Sequence, residues 1–164
     1  MKLATALFFT LCFLGVNISV DIEDIRQTYR SIQDNEDSIN DLYESLTSVA
    51  KNDEATLVAY KGAATTMMAK FASGFKDKRT FFNDGRELLE YAVEAQASNV
   101  EIRCIRLSVQ ENAPRILGYH KDIDTDKQFI IDNYSSMKDK AAKDFVKGFV
   151  AQSDSFSEEQ KQLF

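Results

Sequence analysis

Cysteine, proline and histidine are almost missing from this chain of 164 residues, which holds two, one and one of them. With a single proline and six glycines it is neither collagen-like nor a low-complexity linker. Two cysteines exclude a disulfide-dense scaffold. His120 is the sole imidazole, so any histidine-dependent mechanism has to use it. Turn signals for β-hairpins are also scarce: Asn-Gly and Gly-Gly are absent, Asp84-Gly85 is flanked by helical pattern, and period-two alternation is never sustained. The net charge of −6 argues against nucleic-acid binding as the main task. What remains is 44% hydrophobic and 28% charged, a balance that predicts one packed soluble domain.

The first segment reads as targeting. Lys2 precedes an uncharged apolar run from Leu3 to Val16, the layout of a secretory signal peptide over residues 1–20. A retained anchor is the rival, since the run continues through Asn17-Ile18-Ser19-Val20 and about 20 apolar residues span a bilayer. Cleavage is favoured because Gly15 to Ser19 dilute the run with small and polar residues; no A-x-A pattern fixes the site, for which Ser19 is a candidate last position. Removal takes one lysine and no acid, leaving residues 21–164 as a single acidic, exported domain, periplasmic or secreted, with no membrane contact after signal removal. Cys104 is then the only cysteine, expected as a small buried hydrophobe.

From residue 21 onward the hydrophobic period is 3.6. Ile22, Ile25, Tyr29 and Ile32 form one stripe, and Ile39, Leu42, Tyr43, Leu46 and Val49 a second, giving a helical hairpin. Asn52 or Asp53 is placed to cap a third helix, with Leu57, Tyr60, Ala64, Met67, Met68 and Phe71, that fades at Ser73-Gly74. Asp77 is placed to open a fourth with Phe81, Leu88, Leu89, Ala92 and Val93 inward. Ser98-Asn99 opens a fifth with Ile102, Ile105 and Val109, stopped ahead of Pro114. Residues 115–123 read as an ordered loop; helices resume at Asp124-Thr125-Asp126, at Ser136 with Asp139 as a capping pair, and at Ser157 with Gln160. The predicted fold is all-α, seven or eight helices in stacked antiparallel hairpins, as a repeat-like solenoid or a compact bundle. The expected core includes Leu57, Met67, Leu88, Leu89, Ala92, Ile102, Ile105, Phe145 and Phe149.

Residues 85–107, Gly-Arg-Glu-Leu-Leu-Glu-Tyr-Ala-Val-Glu-Ala-Gln-Ala-Ser-Asn-Val-Glu-Ile-Arg-Cys-Ile-Arg-Leu, resemble the second helix of a tetratricopeptide repeat running into the next repeat. Gly85 and Ala92 stand at the small positions where paired helices touch, and Ala97 replaces the usual proline. Across residues 58–118, Val58-Ala59-Tyr60-Lys61-Gly62-Ala63-Ala64, Glu87-Leu88-Leu89-Glu90-Tyr91-Ala92 and Glu101-Ile102-Arg103-Cys104-Ile105-Arg106-Leu107-Ser108-Val109-Gln110-Glu111-Asn112 resemble small exported all-helical proteins of Bacteroidota. These resemblances imply an all-helical exported body and, if repeat-like, peptide or protein binding along a groove; they supply no catalytic residue.

No enzyme constellation, metal or cofactor signature is predicted from the residues. Asp122, Asp124 and Asp126 alternate as in the opening of a calcium loop, but Lys127 replaces its glycine and Asn133 its bidentate glutamate, so capping by Asp124 is favoured. Glu87 and Glu90 read as a solvated face. Met67, Met68, Phe71 and Phe75 read either as an adaptable apolar groove or, more simply, as core. The candidate binding residues are Lys61, Arg103, Arg106 and Gln110. The last three recur at i, i+3 and i+7, and with Lys61 they are candidates to clamp an acidic peptide or a C-terminal carboxylate. Pairing of the arginines with Glu87, Glu90 or Glu94 is the competing role. The function expected is a non-enzymatic protein or peptide interaction module of the cell envelope. The alternatives are a small envelope enzyme or ligand carrier, or a membrane-anchored adaptor.

Overall fold

The computed structural model describes residues 20–164, and the expected signal segment, Val20 apart, lies outside the described residues. Eight α-helices are described, and no strand is present among the described residues. The chain is an all-α bundle. Asp21 caps α1 (Ile22–Ser31) by accepting from the Glu23 amide, and Asn35 caps α2 (Glu36–Ser45) by accepting from Ser38. Helix α3 spans Ala55–Met68 and α4 spans Gly74–Ala95. Asn99 caps α5 (Val100–Asn112), which ends two residues before Pro114. A 3-10 turn, Arg115–Leu117, leads to α6 (Ile123–Asn133), α7 (Lys140–Gln152) and α8 (Glu158–Lys161), whose Ser157 and Gln160 complete a capping box.

Four expected starts differ, one of them at α6, which begins at Ile123 after Asp122, so that Asp124 lies in its first turn and is not its cap. Helix α3 begins after Glu54, while Asp53 turns back to accept from the Ala50 amide. Asp139 itself caps α7 by accepting from Ala141 and Ala142, whereas Ser136 sits in a 3-10 turn and donates to the Asn133 carbonyl. Helix α4 starts at Gly74 and not at Asp77. Gly74 has φ of 81°, a left-handed conformation that glycine tolerates and that turns the chain sharply enough to begin the helix three residues early.

Helix α3 is buried on nearly every side because α1, α2, α4 and α5 all pack on it. Such a helix needs apolar or small residues all round, and Leu57, Val58, Ala59, Tyr60, Gly62, Ala63 and Ala64 supply them. Its closest neighbour is α4. A Cβ on Gly85 would stand 2.5 Å from the Gly62 carbonyl oxygen and 2.6 Å from the Thr66 amide, so the two backbones meet where neither has a side chain. Of the expected core, Leu57, Leu89, Ala92, Ile102, Ile105 and Phe145 are buried. Met67, Leu88 and Phe149 are only partly covered at its edge. In Met67 the reason is position: it lies in the last turn of α3, where the α3–α4 hairpin runs out of neighbours.

Candidate functional site

Two ionic clusters brace the bundle from within. In the first, Arg106 of α5 donates from Nε and Nη2 to Asp126 Oδ2 and Oδ1 of α6, both at 2.7 Å, and from Nη1 to Glu90 Oε2 of α4 at 2.7 Å. Arg103 adds Nη1 to Asp126 Oδ1 at 2.9 Å and stacks its guanidinium 5.0 Å over Phe129. Tyr119, in the loop after α5, donates its hydroxyl to the other oxygen of Glu90 at 2.7 Å. Burial alone lowers the basicity of Arg106, but the bonds and charge of Asp126, with Glu90 behind them, outweigh it and raise the guanidinium above its usual range. Burial, reinforced by Glu90, likewise pushes the Tyr119 phenol up.

The second cluster ties α1 to α5 and α7. Arg26 donates from Nε and Nη2 to both carboxylate oxygens of Glu101 at 2.7 and 2.8 Å, and from Nη2 to Asp139 at 3.1 Å. Tyr60 of α3 donates to Glu101 at 2.8 Å. The hydrogen bonds to Glu101 hold the Arg26 proton more firmly than usual, and burial first, then the charge of Glu101, lifts the Tyr60 phenol well above the ordinary range.

These contacts relocate the stripe expected to face a groove. Arg106 is 4% exposed, Asp126 is fully buried, and the carboxylate that Arg103 and Arg106 clamp belongs to the chain itself. Glu90 is one of the carboxylates expected on the preceding helix; Asp126 lies near a helix start as expected, in the first turn of α6, but its carboxylate turns inward as the main partner. Gln110 is fully buried one turn further along, and neither side-chain atom has a hydrogen-bond partner. Lys61 lies elsewhere, donating to the Thr47 and Val49 carbonyls at 2.9 and 2.5 Å just beyond α2. The four residues therefore share no open surface. The three carboxylates that suggested a calcium loop also diverge: Asp126 faces Arg106, and Asp124, well exposed, pairs with Lys127 at 3.1 Å. Glu87 meets Lys51 at 2.5 Å on the surface. Sequence reasoning missed Arg26 and Glu101, which are 75 positions apart and share no local signal.

Besides a cleft of about 290 Å³ beside Arg26, Asn99 and Lys138, two surface features remain open among the described residues. One is a cleft of about 440 Å³ between the ends of α5 and α7, lined by Glu111, Asn112, Arg115, His120, Gln152 and Asp154, among others. Glu111 is already engaged there, accepting from the Ser153 hydroxyl and the Ser155 amide. The other is the tip of the α3–α4 hairpin. The buried stripe of α4, Val93, Ala92, Leu89, Gly85 and Phe82, continues at helical spacing through Arg79 and Lys78 to Phe75, which is 79% exposed. Ser73 to Thr80 are exposed without interruption. Phe75 is thus not core, while Met67, Met68 and Phe71 beside it are half-buried.

Fold and site together define an all-α bundle locked by internal ion pairs, with a bare helical tip. Comparison with protein-family models, curated proteins and solved structures returns no match for this chain.

Proposed function

We propose that the protein is an exported, non-enzymatic helical interaction module of the cell envelope that engages a protein partner. The observation that carries this reading is the stripe of α4 that is core at one end and open at the other, ending in Phe75 at 79% exposure. Aromatic and arginine side chains, here Phe75 and Arg79, are the types enriched where interfaces concentrate their energy. Export is read from residues 1–20, and no helix among the described residues is long and apolar enough to cross a membrane. The resemblance of residues 85–107 to a segment of a tetratricopeptide repeat points to the same class of function.

A photoreactive benzoyl-phenylalanine placed in turn at the four exposed large apolar positions, Phe75, Tyr91, Ile116 and Leu163, tests the reading in the cells that make the protein. The expected result is an adduct with another protein from at least one position. Silence at all four removes the proposal. The cleft around His120 supports a second reading, a small-molecule carrier, which requires a ligand whose binding His120→Ala abolishes.

A further inference from the structure

We infer that the α4 tip receives an acidic amphipathic helix from the partner, an inference that rests on the interaction-module reading and names the chemistry of its partner. Residues 96–99 turn the chain back from α4 into α5, and the Arg106–Glu90 ion pair then puts the end of α5 at Asn112 about level with Asp84. Helix α4 therefore outruns α5 by roughly ten residues, about 15 Å at the rise of an α-helix. Phe75, Lys78, Arg79 and Phe82 lie at i, i+3, i+4 and i+7 on one face of that overhang. Phe82 is covered, with its ring meeting Tyr119 edge-on at 5.9 Å; Phe75 has no such cover. The face of α4 from Phe75 to Arg79 is exposed, whereas the same stripe further along the helix packs against α3 and α5, so a third helix is the element that continues this packing.

Charge selects the occupant. Lys76, Lys78 and Arg79 are exposed against the single acid Asp77, in a chain whose net charge is −6. Lys78 makes a 3.5 Å contact to the Lys70 carbonyl, and among the described residues no carboxylate pairs with Lys76, Lys78 or Arg79. A helix carrying apolar residues toward Phe75 and carboxylates toward Lys78 and Arg79 complements the stripe residue by residue. An anionic bilayer fits less well, because one protruding aromatic supplies little insertable surface and Asp77 stands among the cations.

Photocrosslinking from position 75, with the captured peptide sequenced, tests the inference on the full chain. The expected adduct is a net-negative segment with helical apolar spacing, and Lys78→Glu with Arg79→Glu should cut its yield about tenfold or more. Both changes lie on exposed residues, and an unchanged Tm establishes that the variant is folded. A lipid adduct, a second copy of this chain, a neutral or basic peptide, or a yield indifferent to charge reversal overturns the inference. So does co-sedimentation with equimolar phosphatidylglycerol and phosphatidylcholine vesicles that the charge reversal abolishes. Adducts from Ile116, Tyr91 or Leu163 but not from Phe75 sink the acidic-helix inference and leave the interaction module standing. Silence at every position ends both.

Discussion

Arg106 shows how far a single residue can be read before its surroundings are known. Its spacing with Arg103 and Gln110 marks a polar stripe, and Glu90 on the neighbouring helix is a foreseeable partner. Asp126 is not foreseeable, because it lies 20 positions downstream in a run of alternating aspartates that suggests a cap or a cation loop. Only the packing of α6 on α5 brings it under the guanidinium, and the same packing turns a candidate ligand clamp into a brace. Replacing Arg106 with alanine should therefore cost stability and leave partner capture unchanged in the variant that still folds. The loss expected in urea denaturation is about 3–5 kcal/mol, since a fully buried carboxylate loses its bidentate partner. Adding Asp126→Ala should cost less than the sum of the two single changes, because the stranded charge goes with it.

At the scale of elements, what was legible was what is local. Caps act across two or three residues, so Asn99 and the Ser157–Gln160 box are visible in the sequence and stand where expected. The start of α4 is not, because it depends on the positive φ of Gly74, and the register of α3 on α4 depends on two glycines 23 positions apart. Gly85 alone reads as a small position of a helix pair; that Gly62 is its counterpart follows only from the crossing. Gly85→Ala removes conformational freedom from the unfolded chain, a small gain. It also drives a methyl to 2.5 Å from the Gly62 carbonyl and 2.6 Å from the Thr66 amide, and backbone cannot swing aside as a side chain does. The helices must part, and overpacking of this kind costs about 1–3 kcal/mol. The predicted net effect is destabilisation, read as a lower urea midpoint with an unchanged slope.

For the whole molecule, the two arginine clusters leave phenols in places where they do not ionise. Tyr29 and Tyr60 are buried edge to face at 5.2 Å, and Tyr119 is held on Glu90; burial is the leading cause that raises all three above the ordinary value of 10. The sign follows from linkage: the folded state keeps these protons while the unfolded chain releases them above about pH 10. Their contribution is complete below that pH and is lost as pH rises beyond it, by up to about 1.4 kcal/mol per pH unit for each phenol. Tm measured from about pH 9 to pH 11 should fall steeply, with phenolate absorbance from the buried tyrosines appearing only on unfolding. Tyr29→Phe should flatten the alkaline limb.

Cys104 lies at the centre of the same core, fully buried, and burial lifts its thiol well above the usual range. It is the only cysteine among the described residues. A thiol that is both enclosed and protonated reacts with an alkylating reagent only after the protein opens, so the labelling rate counts opening events. If α5 moves only when the whole bundle unfolds, the opening free energy obtained from that rate equals the free energy from denaturation. A lower value would mean that α5 detaches from its ion pairs as a separate unit, and this one sulfur atom would time that detachment without any engineered probe.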